Sequence, residues 1–243
     1  MLQEGLKGLA ILIGYYLIAG SLTLLLKKIL NPPSELIRKI LHLICVMSVF
    51  LLLNVFDTWY MAVFSILTFI ILVYPVLSVI EHYPIYKKFL SERKNGEVKM
   101  SLIIVCMMLI ILIAVFWGWL GASWKYIIVI AVMAWGYGDA VAALVGKAFG
   151  RHYIEHRLVE GKKTLEGTLA MFVVAWLAIF ITMMIYAVMP WYLCLLVALL
   201  VAPICAIVEL FSKGGTDTIT VPLSAAILLF VLIYFFNQMG SGI

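Results

Sequence analysis

Charge is what this chain has least of. Asp, Glu, Lys and Arg make up 12% of its 243 residues, whereas 66% are hydrophobic. A soluble domain carries about 25% charged and roughly 45–50% apolar residues. The shortage excludes an ordinary water-soluble core and makes lipid the solvent. Long polar tracts are missing as well. The most extended cover 81–99 and 147–164, too little for an appended soluble domain, so we expect a single polytopic membrane domain over 1–243. No low-complexity tract or internal repeat stands out. Cysteines are few: Cys45, Cys106, Cys194 and Cys205 all lie in apolar runs and form no CxxC pair, which reads as small buried hydrophobes.

What is present is continuous apolar sequence. Runs such as Ser101–Leu120 do not alternate with polar residues as barrel strands do, so the spans read as helices. We expect an all-α integral membrane bundle of eight spans near 7–28, 36–54, 58–80, 100–120, 124–148, 166–188, 191–211 and 219–238. The first has no basic excess ahead of it (Glu4, Lys7) and a basic pair behind it (Lys27, Lys28), so it reads as a retained anchor. Lys and Arg fall almost wholly in the odd-numbered loops: 15 of them, including Lys87, Lys88, Arg93 and Lys94 of loop three, against Lys7 and Lys125 elsewhere. Short cytoplasmic loops retain positive charge. Both termini are therefore expected to be extracytoplasmic. This distribution accounts for the net charge of +5, and no nucleic-acid partner is expected.

A charged side chain within a span costs on the order of 2.5–3.5 kcal/mol on insertion scales, so each needs a reason. Asp139 lies 14 residues beyond Lys125, about 21 Å along a helix. If Gly136-Tyr137-Gly138 broke that helix, Asp139 would stand near the positive end of a second one. Ala142, Ala143, Gly146 and Gly150 continue the helical face that Asp139 begins, and this small stripe suits either close helix packing or a ligand. Lys162, Lys163, Thr164, Glu166, Gly167 and Thr168 then combine ammonium groups, hydroxyls and glycine, a set suited to oligophosphate; the same residues also suit a Thr-capped helix start. Glu209 and Asp217 flank a Gly-rich turn and Pro222 opens the last span. Near phosphate these acids suit Mg2+, a hard cation that takes carboxylate and phosphate oxygens. Arg38 and His42, four residues apart, share a face at the start of span two. His82, His152 and His156 show no metal-ligand spacing and are set aside.

The positive-inside pattern assigns His42, Asp139, Lys162, Glu166, Glu209 and Asp217 to one boundary of the membrane. A transporter more often sets polar residues near the midplane on broken helices. A one-sided cluster suits an enzyme that joins a cytosolic solute to a lipid.

Four blocks then resemble one family, the CTP-dependent lipid-alcohol kinases, which include dolichol kinase, phytol kinase and yeast-type diacylglycerol kinase. Asp139-Ala-Val-Ala142 through Gly146 to Gly150 resembles the family's DxxAxxxGxxxG. Lys162-Lys163-Thr164-Leu165-Glu166-Gly167-Thr168 is similar to its Lys-[Ser/Thr]-x-x-Gly-[Ser/Thr], in a form most like dolichol kinase. Glu209, Asp217 and Pro222 resemble its Glu…Asp-Asn…Pro block, with Thr218 in place of Asn. Arg38-Lys39-x-x-His42 resembles its early Arg-Lys-x-x-His. The resemblance implies transfer of the γ-phosphate of CTP, or another nucleoside triphosphate, to the hydroxyl of a polyprenol or dolichol, a phytol-like alcohol or diacylglycerol at the cytoplasmic face of the cell membrane. It implies Asp139, Glu209 and Asp217 as catalytic residues, with Asp139 and Asp217 on Mg2+. Arg38, His42, Gly146, Gly150, Lys162, Lys163, Thr164, Glu166, Gly167 and Thr168 would meet the nucleotide. Phosphatidate cytidylyltransferases are related, but their Lys-Asp and Pro-Gly-His-Gly-Gly signature is absent. CDP-lipid synthesis and lipid transport without nucleotide turnover are the alternatives.

Overall fold

The computed structural model describes residues 2–83, 96–186 and 188–240. Lys87, Lys88, Arg93 and Lys94, which support the expected sidedness, lie outside them. The described chain is mainly helical, and eight helices are long and apolar enough to cross a membrane. They are α1 (Leu2–Leu30), α2 (Ser34–Val55), α3 (Trp59–Ile80), α4 (Glu97–Leu112), α5 (Tyr126–Phe149), α6 (Leu165–Ile185), α7 (Trp191–Phe211) and α8 (Asp217–Gln238). All eight expected spans are present, with ends shifted by a few residues. Helix α4 runs on as a π-helical segment, Ile113–Trp119, where Leu120 N–H reaches back to Val115 O at 3.0 Å. Among the described residues there are no strands, only an isolated bridge between Tyr153 and Thr164.

The helices group into two compact units, residues 1–122 and 123–243. No polar linker marks the division. It falls at the turn around Gly121, whose φ of 103° a side-chain-bearing residue rarely adopts.

In the first unit, α1 packs on α2 and α3, and α3 packs on α4 and its π-helical continuation. Tyr15 donates to Ile44 O at 2.7 Å and Tyr16 to Ser48 Oγ at 3.0 Å, giving α1 a polar seam against α2. Most of α1 is apolar and exposed, including Leu17, Ile18, Leu22 and Leu25, a face suited to lipid rather than water. At the far ends of α2 and α3, charge does the joining. Arg38 pairs with Glu35 at 3.4 Å and Glu97 at 3.5 Å, while Lys99 reaches Glu81 at 2.8 Å and Ser78 at 3.1 Å.

In the second unit, α5, α6, α7 and α8 pack in a ring, each against the next and α8 against α5. The first half of α5 is buried on all sides: every residue from Ile127 to Gly136 is enclosed. The α5–α6 crossing is the tightest. Gly138, Ala142, Gly146 and Gly150 repeat every four residues and face Thr164, Gly167 and Met171. A Cβ on Gly167 would stand 3.0 Å from Ala142 O and 3.4 Å from Gly146 Cα; one on Gly150 would stand 2.6 Å from Thr164 Cγ2. Glycine lets the two backbones approach this closely.

This crossing predicts an asymmetry among glycines. Gly167→Leu forces the α5–α6 backbones apart and should destabilise by about 1–3 kcal/mol. Gly14→Ala in α1, where an added Cβ meets nothing within 4 Å, should leave stability unchanged or slightly higher. Thermal unfolding in detergent compares the two, and equal midpoints would contradict the packing assigned to the stripe.

Candidate functional site

The second unit brings most of the singled-out residues to one end, where α5 and α7 finish and α6 and α8 begin. Helix α5 does not break at Gly136-Tyr137-Gly138: it is continuous from Tyr126 to Phe149. Asp139 therefore projects from the side of a helix, half-buried, and is not at a helix start. The enclosed setting supports the helix through its glycines; a Cβ at Gly138 would lie 2.5 Å from Met171 Sδ, so that side chain would have to shift.

Lys163 is the centre of the group. Its Nζ contacts Glu209 Oε1 at 2.9 Å, donates to Glu209 O, and lies 3.4 Å from Ser212 O. Glu209 O also accepts from Ser212 N–H at 3.1 Å, so the ammonium adds to the cap at the C-terminus of α7, where the helix dipole favours a cation. Glu209 also feels the charges of Asp139 and Asp217, so carboxylates from three helices lie within electrostatic reach of one another, and Lys163 pairs with the one on α7. Lys162 is different. It is exposed, and among the described residues it makes no ion pair.

The loop 151–164 is held by its own bonds. Ile154 N–H donates to Lys163 O and Leu165 N–H to His152 O, both at 2.9 Å. Thr164 caps α6 by accepting from Gly167 N–H at 3.2 Å, and Thr168 Oγ1 donates to Thr164 O at 3.1 Å. Glu160 accepts from Gly214 N–H at 2.6 Å, fastening this loop to the turn between α7 and α8. Glu166, in the first turn of α6, is 2.7 Å from His152 Nδ1 and also accepts from His152 N–H at 3.2 Å. His152 shows no metal-ligand spacing in the sequence. Its only signal is a partner 14 residues away, visible once the loop folds back.

Gly146, Gly150, Gly167 and Thr164 meet one another at the α5–α6 crossing. Helix packing, the alternative left open for the small stripe, accounts for their spacing. Pro222 is the sixth residue of α8, not its opening, and Asp217 is the first. Arg38 and His42 belong to the first unit, where Arg38 is engaged by Glu35 and Glu97 and His42 is half-buried. Among the described residues no three His, Cys, Asp or Glu side chains converge as a metal site. The acids suit a cation that takes one or two carboxylates and completes its shell with water and phosphate, as Mg2+ does.

The lysine–carboxylate group yields a prediction about charge balance. Lys163→Met leaves Glu209 facing two other acids and should destabilise by about 2 kcal/mol. Adding Glu209→Gln to that variant should recover part of the loss. Chemical denaturation of the three proteins checks this; a double variant weaker than Lys163→Met would refute the assigned balance.

Comparison with known proteins gives one similarity of consequence. The chain is 39% identical over 99 residues to a phytol kinase from Synechocystis sp. (strain ATCC 27184 / PCC 6803 / Kazusa). The match covers 41% of this chain and 40% of that protein, well under two thirds of its length. No family model matches, and no solved structure matches.

Proposed function

We propose that this chain is a lipid-alcohol kinase, multi-pass in the cell membrane. In this reading it moves the γ-phosphate of CTP, or another nucleoside triphosphate, to the hydroxyl of a lipid such as a polyprenol, dolichol, phytol-like alcohol or diacylglycerol. The partial similarity to a phytol kinase is the observation that carries the reading, and the lysine and three acids at one end of the second unit agree with it. The Lys and Arg distribution favours that end as cytoplasmic and both termini as extracytoplasmic.

Phosphoryl transfer asks mainly for positioning and charge neutralisation. The alcohol oxygen forms a bond to the γ-phosphorus, the bond from that phosphorus to the β–γ bridging oxygen breaks, and the nucleoside diphosphate leaves. The alcohol proton passes to a carboxylate of the Asp139, Glu209 and Asp217 group. Asp139 and Asp217 would hold Mg2+, which when bound neutralises phosphate charge. The two lysines take unlike roles. Lys163 already has three acceptors and positions the loop and Glu209. Lys162, exposed beside it, meets the incoming phosphates.

Purified chain in vesicles, given labelled CTP, ATP or GTP and a panel of lipid alcohols, should yield nucleoside diphosphate and lipid phosphate. Asp139→Asn should abolish turnover while the protein remains folded. Pyrophosphate and a CDP-lipid would instead support cytidylyl transfer, and substrate movement without nucleotide consumption would support a transporter. Lys162→Ala should raise the nucleotide KM roughly tenfold, the size of a lost charge-assisted hydrogen bond, with little change in stability. An unchanged KM would remove Lys162 from the phosphate site.

A further inference from the structure

The first unit contains a cavity of about 240 Å³ where α1 begins, α2 ends and α3 begins, far along the helices from the Arg38 and Lys99 ion pairs. Its walls mix two chemistries. Ile11, Val55, Phe56 and Met61 are apolar, whereas Lys7, Asp57 and Thr58 are not. Lys7 and Asp57 are both exposed, and among the described residues neither makes an ion pair although they line one cavity. Opposite charges left apart at one concave site suit a ligand that carries both signs.

Two further features fit such a ligand. Thr58 precedes α3 but does not cap it, and among the described residues its Oγ1 is sealed from solvent with no hydrogen-bond partner. Thr58 stands one residue before α3, whose first turn leaves its N–H groups open beside the cavity that Thr58 lines. Those groups and the helix dipole favour an anion, as does the Lys7 ammonium. The depth is also suitable. The apolar runs start at Gly5 and Trp59 and end at Val55, so the cavity lies at the boundary of the spans. Trp59 and Tyr60 are exposed there, in the manner of the aromatic residues that mark headgroup level.

We propose that this cavity binds the headgroup of a phospholipid that carries both a phosphate and a primary ammonium. Lys7, the Thr58 hydroxyl and the start of α3 receive the phosphate. Asp57 accepts hydrogen bonds from the ammonium, and Ile11, Phe56 and Met61 line the entry of the acyl chains. A quaternary ammonium has no N–H to give Asp57, and a glycerol headgroup has no positive charge, so both bind more weakly. The site is independent of the chemistry proposed for the second unit.

Native mass spectrometry of the full chain, loaded with phosphatidylethanolamine, phosphatidylcholine or phosphatidylglycerol of matched acyl chains, tests it. Phosphatidylethanolamine adducts should be retained roughly threefold to tenfold better than the other two, the size of one charge-assisted contact at an open site. Lys7→Ala should lower retention of all three lipids. Asp57→Asn should remove the preference for phosphatidylethanolamine while phosphatidylglycerol retention stays at the wild-type level, which also reports an intact fold. Equal retention of the three lipids by the wild-type chain, or an undiminished preference in Asp57→Asn, would overturn the proposal.

Discussion

One ion pair, Lys163 with Glu209, governs the charged end of the second unit. Carboxylates at 139, 209 and 217 repel one another, and each resists removal from water. Lys163 offsets both costs by bonding Glu209 and the end of α7 together. It sits between Glu160, which fastens to Gly214, and Thr164, which caps α6. Loop, cap and acid group are therefore one connected structure. A ligand with several negative charges would need the exposed Lys162 and a bound Mg2+ there, since Lys163 is already engaged by Glu209.

The glycine stripe of α5 sets how near these parts can come. Small residues at 138, 142, 146 and 150 let α6 lie close, which carries Thr164 and Gly167 against α5 and brings the loop ahead of them to the end of the bundle. Packing and chemistry are thus linked through backbone distance. A larger residue in the stripe acts first on the α5–α6 spacing and only through it on the lysine.

Much of the fold was legible because lipid imposes a simple rule: spans must be continuous, apolar and helical. All eight stand out on that basis. The division at Gly121 was not legible, since a short turn between two apolar helices carries no compositional mark. The continuity of α5 through Gly136 and Gly138 depends on burial against neighbours, which local propensity does not contain. In the site, residue types were readable but pairings were not. Lys162 and Lys163 are chemically alike in sequence; only the folded loop gives one of them Glu209 and leaves the other exposed. His152 gains its partner Glu166 only when the loop folds back.

In the proposed reading a nucleotide is held at the lysine–carboxylate end of the second unit. Hydrogen exchange of the full chain in bilayer discs, with and without Mg2+ and CTP, tests it most directly. Exchange in residues 151–164 and 209–217 should slow when the nucleotide is present. Unchanged exchange there at saturating nucleotide, with protection elsewhere, would contradict it.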